Sequence, residues 1–70
     1  MKYAIVIEKA ESNYSAYVPD LPGCIATADS IDSVEEQIRE AIQFHIEGMR
    51  EDGLELPEAS SRVEYVHVAA

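Results

Sequence analysis

Three side chains in this sequence are candidates for nucleophilic, basic or metal-binding chemistry: one cysteine and two histidines. Cys24 has no basic residue beside it in the sequence. A reactive thiol needs an electropositive setting that favours the thiolate, so we expect Cys24 to pack in the core as a small hydrophobic residue. His67 lies near the end of the chain, and we expect it at the surface or in an interface.

His45 lies within an apolar stripe, one helical turn after Ala41 and one turn before Met49. We expect a buried, hydrogen-bonded and neutral imidazole at this position. Glu47 and Glu51 are close in sequence but lie on other faces of a helix, so the ligands of a metal ion do not converge there. We predict no metal and no cofactor.

Acidic side chains are numerous, but their arrangement is not catalytic. Two-metal cleavage of phosphodiesters needs several carboxylates grouped on strands and helices. Here they are concentrated along the exposed side of a predicted helix and the loop after it, which is typical of a solvated face. We therefore predict that this protein is not an enzyme.

The net charge restricts the choice of partner. Fourteen Asp and Glu residues against five Lys and Arg residues give a net charge of −9. Phosphate backbones would be repelled over most of such a surface, so direct nucleic-acid binding is not expected. A basic protein partner is the natural complement, and acidity that only maintains solubility is the alternative.

One long segment has helical periodicity, between Ser30 and Gly53. Its apolar residues recur at steps of three and four: Ile31, Val34, Ile38, Ala41, Ile42, Ile46 and Met49. The Ser30 hydroxyl is suited to cap the first turn, and Gly53 can take the left-handed conformation that often follows a helix. We predict a helix between them.

Four segments alternate as strands do: Lys2–Glu8, Tyr14–Val18, Cys24–Ala28 and Arg62–Val68. With the helix, they predict a single α+β domain over residues 1–70, in the order β-β-β-α-β. A right-handed crossover gives a four-stranded sheet of order 3-2-1-4, with the helix on one face. The first strand is apolar on both sides, which favours a central position.

The segment Pro19–Gly23 predicts a rigid, exposed corner after the second strand. Proline cannot donate to a strand ladder, and Pro22-Gly23 fits the central positions of a type II turn. We expect Asp20 and Leu21 on the outside of this corner.

A second flank of the helix is formed by Gln37, Ala41, Phe44 and Gly48. A glycine within a helix costs about 1 kcal/mol relative to alanine, so a close neighbour should compensate. We expect a second chain to pack here with Phe44 as its anchor, in a homodimer or homotetramer. Packing of this flank against the loop after Gly53 is the alternative.

Three segments together resemble the N-terminal domain of the HicB antitoxin family: KYAIVIEK, YSAYVPDLPGCIATADS and IREAIQFHIEGMREDG. The resemblance extends from Lys2 to at least Pro57. It implies a partial ribonuclease-H-like fold with one helix. It also implies that the protein neutralises a HicA-type toxin, a small basic ribonuclease that cleaves mRNA, by binding it.

If that function holds, the preformed corner is suited to the toxin because it binds without further ordering cost. The residues expected to contact the toxin are Tyr17, Asp20, Leu21, Pro22 and Gly23. A purely structural turn is the alternative for the corner. A homo-oligomeric scaffold or ligand-binding module without a toxin is the alternative function.

Two further expectations concern context. Many HicB antitoxins carry a C-terminal DNA-binding domain, and the sequence to Ala70 has no room for one, so DNA binding is not expected. The apolar run Ala4–Ile7 is too short for a signal peptide or a membrane span, so we expect a cytoplasmic protein without membrane contact.

Overall fold

The computed structural model describes residues 1–70 and contains three strands and one helix. These are β1 (Val6–Lys9), β2 (Tyr14–Tyr17), β3 (Ile25–Ala28) and α1 (Ile31–Glu51). The strands form an antiparallel sheet in the order β1-β2-β3, and α1 packs on one face of it. The predicted α+β class is confirmed.

Both ends of α1 follow from local residues. Ser30 has an extended backbone, and its hydroxyl oxygen accepts a hydrogen bond from the Ser33 N–H at 3.1 Å. At the other end Gly53 has φ +69°, and its N–H donates to the Arg50 carbonyl. The predicted serine cap and the predicted left-handed glycine are therefore both confirmed.

The core lies beneath the first half of α1. Its fully buried members are Ala16, Val18, Leu21, Cys24, Val34 and Ile38. The four-residue strands span about 13 Å, whereas the 21 residues of α1 span about 31 Å. The last turns of the helix therefore extend beyond the sheet, where Ile42, Ile46 and Met49 are only half-buried and Phe44 is exposed.

The predicted fourth strand is wrong for the single chain. Arg62–Val68 forms no strand, and every residue from 58 to 70 is exposed. The relative order of the first three strands is correct, but β2 occupies the centre of the sheet and β1 is an edge. A sheet of three strands does not confirm the expected ribonuclease-H-like fold, which has four.

Hydrogen bonds after the helix explain where the chain goes instead. The Tyr3 hydroxyl donates to the Pro57 carbonyl at 2.6 Å, and Ser60 and Ser61 bind the Asp20 carboxylate. Asp20 belongs to the connection between β2 and β3. The segment after Pro57 therefore runs from the β1 side of the sheet toward this connection, away from the outer edge of β1.

Strand β1 begins at Val6, four residues later than predicted. Val6 pairs with Tyr17, the last residue of β2. Pro19 cannot donate a ladder hydrogen bond and ends β2 soon afterwards. The residues from Lys2 to Ile5 therefore have no neighbouring strand on either side.

Candidate protein-binding face

The corner between β2 and β3 is held by three backbone hydrogen bonds. The Cys24 N–H donates to the Leu21 carbonyl at 3.1 Å, and the Leu21 N–H donates to the Val18 carbonyl at 3.1 Å. The Val18 N–H donates in turn to the Cys24 carbonyl at 3.2 Å. Gly23 has φ +83° at the third turn position, which confirms the predicted type II turn at Pro22-Gly23.

Contrary to our expectation, Leu21 does not lie on the outside of this corner. Its side chain is 0% exposed and belongs to the core cluster with Val34 and Ile38. The turn that returns the Leu21 N–H to Val18 carries the side chain beneath the corner, where α1 covers it. Pro22 and Gly23 remain exposed, so they are the surface of the corner.

Asp20 is half-buried, and its carboxylate is already engaged within the chain. It accepts hydrogen bonds from the Ser61 N–H at 3.0 Å, the Ser61 hydroxyl at 2.8 Å and the Ser60 hydroxyl at 3.2 Å. The Ser61 backbone bond, followed by the Ser61 hydroxyl, lowers the pKa of Asp20. Sequence reasoning missed this clamp, because a separation of about forty residues carries no local signal.

Tyr17 lies in a row of side chains across the sheet. It is directly opposite Val6 on β1 and Ile25 on β3, so the three share one face. The neighbouring Ala16 is buried beneath α1, so this row points away from the helix. We call Val6, Tyr17 and Ile25 the outer row.

The outer row is apolar and open. Tyr17 is 41% exposed, Ile25 is 69% exposed, and Val6 is half-buried. Ile25 follows Gly23 by two residues, so the corner lies at one end of the row. Sequence reasoning identified Tyr17 but not Val6 or Ile25, although strand alternation and register together would have placed them beside it.

This face has the properties of a protein contact. It presents an aromatic and an aliphatic side chain on a rigid sheet, and a preformed turn borders it. The face itself has no cleft. The cleft in this chain lies between the segment leading into β1 and the helix α1.

The three candidate reactive residues occupy different places. Cys24 is 4% exposed, as predicted, and burial raises the pKa of its thiol. His45 is only half-buried and makes no side-chain hydrogen bond, so the expected buried and bonded state is wrong. It lies in the part of α1 that extends beyond the sheet. His67 is exposed.

No three side chains of His, Cys, Asp or Glu lie close enough together to hold a metal ion. The helix α1 does not combine the length and the hydropathy that crossing a bilayer requires.

The predicted oligomer flank is uncovered in the single chain. Phe44 is 78% exposed, Gln37 and Gly48 are exposed, and Ala41 is half-buried. Apart from its chain neighbours and the surrounding helix backbone, no heavy atom lies within 4 Å of the position that a Gly48 Cβ would occupy. The loop after Gly53 therefore does not pack against Gly48, contrary to the alternative considered above.

Comparison with known proteins connects this architecture to a family. The family description "HicB_like antitoxin of bacterial toxin-antitoxin system" matches residues 3–69. A 14.9 kDa protein from the rep-hol intergenic region of Haemophilus phage HP1 is 43% identical over 67 residues. A UPF0150 protein of Archaeoglobus fulgidus is 48% identical over 56 residues, covering 76% of this chain and 81% of that protein.

The fold has a solved counterpart. A chain of the HicA3 and HicB3 toxin-antitoxin complex superimposes with a TM-score of 0.70 and 29% sequence identity, over 89% of this chain and 70% of that one. The phage match covers 96% of this chain but 50% of the phage protein, so the chain spans about half the length of that relative. Because the family match extends over residues 3–69 and relatives exceed 30% identity, this chain belongs to the HicB-like antitoxin family.

Proposed function

We propose that this protein binds and neutralises a HicA-like toxin, a basic ribonuclease that cleaves mRNA, through the outer row and the adjacent corner. The observation that carries the proposal is the exposed Tyr17–Ile25 pair on the sheet face that α1 leaves uncovered. Two further supports are membership of an antitoxin family and the fold shared with a HicA3–HicB3 complex.

The five residues expected to contact the toxin take different roles in this proposal. Tyr17, Pro22 and Gly23 are exposed and touch the toxin directly. Leu21 supports the corner from the core, and Asp20 holds the segment that passes beneath it. Ile25 joins the contact surface beside Tyr17. Aromatic anchors such as Tyr17, once buried by a partner, often carry much of the energy of an interface.

Charge guides the encounter. The net charge of −9 attracts a basic ribonuclease and accelerates association at low salt. Glu8 follows Val6 by two residues on β1, so it lies on the same face as the outer row and is exposed. An apolar centre with Glu8 at its margin is complementary to an apolar patch that has Lys or Arg beside it.

Ile25→Lys tests this surface, with Leu54→Lys as the matched control. Both residues are exposed and aliphatic, at 69% and 55% exposure, but Leu54 lies after the helix and outside the outer row. We expect Ile25→Lys to weaken toxin binding by about tenfold or more, because closing the contact would desolvate the new charge. Leu54→Lys should bind as the wild type does.

The measurement is a titration calorimetry series with a HicA-like toxin, accompanied by rescue of growth when toxin and variant are expressed together. Equal affinity for both lysine variants would reject the outer row as the contact. Failure of the wild-type chain to bind any HicA-like toxin, or to restore growth, would reject the function.

The second candidate is a homo-oligomeric HicB-like scaffold or ligand-binding module without a toxin. The exposed Phe44 on a flank with two small residues supports self-association. A wild-type chain that assembles through this flank but ignores every HicA-like toxin would favour the scaffold.

Both candidates share several predictions. The protein acts without catalysis, cofactor or metal, does not bind nucleic acid directly, and works in the cytoplasm.

A further inference from the structure

Strand β1 has one unpaired edge, and an apolar cleft lies beside it. β1 pairs only with β2, so the backbone groups on its other side have no strand partner. The cleft, of about 490 Å³, lies between the segment leading into β1 and the helix. Its apolar lining consists of Met1, Tyr3, Ile5, Ile38, Ile42 and Ile46. An added strand beside β1 would cover this cleft.

The segment Arg62–Val68 has the composition of a strand but no partner in its own chain. Val63, Tyr65, Val66 and Val68 are 48%, 95%, 79% and 81% exposed. Valine and tyrosine are among the strongest strand formers, and four such side chains within six residues leave a large apolar surface uncovered. We call Arg62–Val68 the tail strand.

The tail strand is directed away from the β1 edge of its own chain. Ser60 and Ser61 are bound to Asp20, in the connection between β2 and β3, and the chain leaves the domain from there. The radius of gyration is 13.8 Å, against about 11 Å for a compact domain of this length. The longest dimension is 48 Å, against 26 Å for the next. The tail strand therefore extends beyond the domain.

We propose that the tail strand of one copy pairs with the unpaired β1 edge of a second copy and covers its apolar cleft, while the second copy does the same in return. Each copy then donates one strand and receives one, which closes a two-fold dimer and leaves neither edge nor tail exposed. This dimer does not depend on toxin binding.

Charge does not prevent a second copy from binding through this segment. Two chains that each carry a net charge of −9 repel one another over most of their surfaces. Within residues 62–70, however, the single Arg62 offsets the single Glu64, and the two side chains are paired at 2.7 Å. The receiving edge carries Lys2, Glu8 and Lys9, and the cleft lining adds Glu35 and Arg39, so the charges there nearly balance. The tail strand is thus a neutral segment of an acidic chain and can approach another copy without repulsion.

Tyr65→Pro in the full chain tests the pairing. Tyr65 is 95% exposed and makes no hydrogen bond within its own chain, so the substitution should leave the far-ultraviolet circular dichroism of the domain unchanged. A proline in the middle of an added strand removes a ladder donor and blocks the pairing. Ala70→Pro, outside the tail strand, is the control.

Sedimentation equilibrium gives the decisive readout. We expect the wild type and Ala70→Pro to be dimers, or multiples of dimers, and Tyr65→Pro to dissociate at least about tenfold more readily, a change of ~1.4 kcal/mol. A monomeric wild type, or a Tyr65→Pro chain that associates as the wild type does, would overturn the proposal. So would a dimer that Phe44→Glu dissociates and Tyr65→Pro does not, because the helix flank would then hold it.

Amide hydrogen exchange distinguishes strand pairing from other roles of the tail. Amides between Tyr3 and Lys9 should exchange more slowly in the wild-type dimer than in Tyr65→Pro. Equal exchange rates in the two proteins would show that the tail strand does not occupy the β1 edge.

Discussion

Asp20 and Leu21 are adjacent in the corner and stabilise different parts of the protein. The Leu21 side chain is fully buried against α1, whereas the Asp20 carboxylate binds two serines near the end of the chain. One corner therefore joins the core, the exposed turn and the last segment. A change at Leu21 should disturb the core, whereas a change at Asp20 should release the last segment.

Leu21→Ala should destabilise the domain by about 2–5 kcal/mol, because it removes a fully buried side chain and leaves a cavity. Urea unfolding followed by circular dichroism would measure this loss as a lower midpoint. Leu54→Ala is the matched control, since Leu54 is 55% exposed, and it should cost less than about 1 kcal/mol. Equal costs for the two variants would show that Leu21 is not a core residue.

The turn at Pro22-Gly23 was predictable because its two residues alone favour one backbone geometry. The burial of Leu21 was not, because it depends on whether α1 passes above the corner. The same limit applies to His45. Its place in an apolar stripe indicated burial, but the short strands leave that end of the helix partly uncovered.

Among the elements, the helix and the last segment differ in what holds them. α1 is defined by its own caps and by the core beneath its first half. The last segment makes no strand pairing in its own chain and is attached through Tyr3–Pro57 and the Asp20 clamp. Its attachment should therefore respond to conditions that leave the helix intact.

Acid should release the segment at Ser60 and Ser61. Because hydrogen bonds from Ser61 lower the pKa of Asp20 in the folded chain, the clamp contributes its full stability above the ordinary aspartate value. This contribution is lost as the pH falls through the lowered pKa, below about 4. The Ser61 amide shift in NMR spectra should titrate in that range.

Asp20→Asn is the control for this titration, because an amide side chain carries no charge to lose. The Ser61 amide of that variant should show no inflection at acidic pH. An inflection that persists in Asp20→Asn, or one at or above the ordinary aspartate value, would contradict the clamp.

Element predictions succeeded where the signals were local. Ser30 and Gly53 set the ends of α1 by their own chemistry. Arg62–Val68 failed as a fourth strand because alternation shows only that a segment can pair, not which edge it meets. The Asp20 clamp directs it away from β1, and no pattern in the sequence encodes a bond between residues forty positions apart.

The whole molecule is small and acidic, and much of its apolar surface is uncovered. Six of its 70 residues are buried, so a single copy has a limited core for its length. Three exposed apolar regions remain: the outer row, the Phe44 flank and the tail strand. We assign the outer row to a toxin and the tail strand to a second copy, which leaves the Phe44 flank as a predicted site of further assembly.

We propose that a HicA-like toxin binds the sheet face opposite α1. The most direct test is an NMR titration of the isotope-labelled chain with an unlabelled HicA-like toxin. We predict that the largest changes in shift or intensity occur at Tyr17, Gly23 and Ile25, with little change at the core residues Val34 and Ile38. Changes confined to the exposed side of α1, or no change at saturating toxin, would contradict the account.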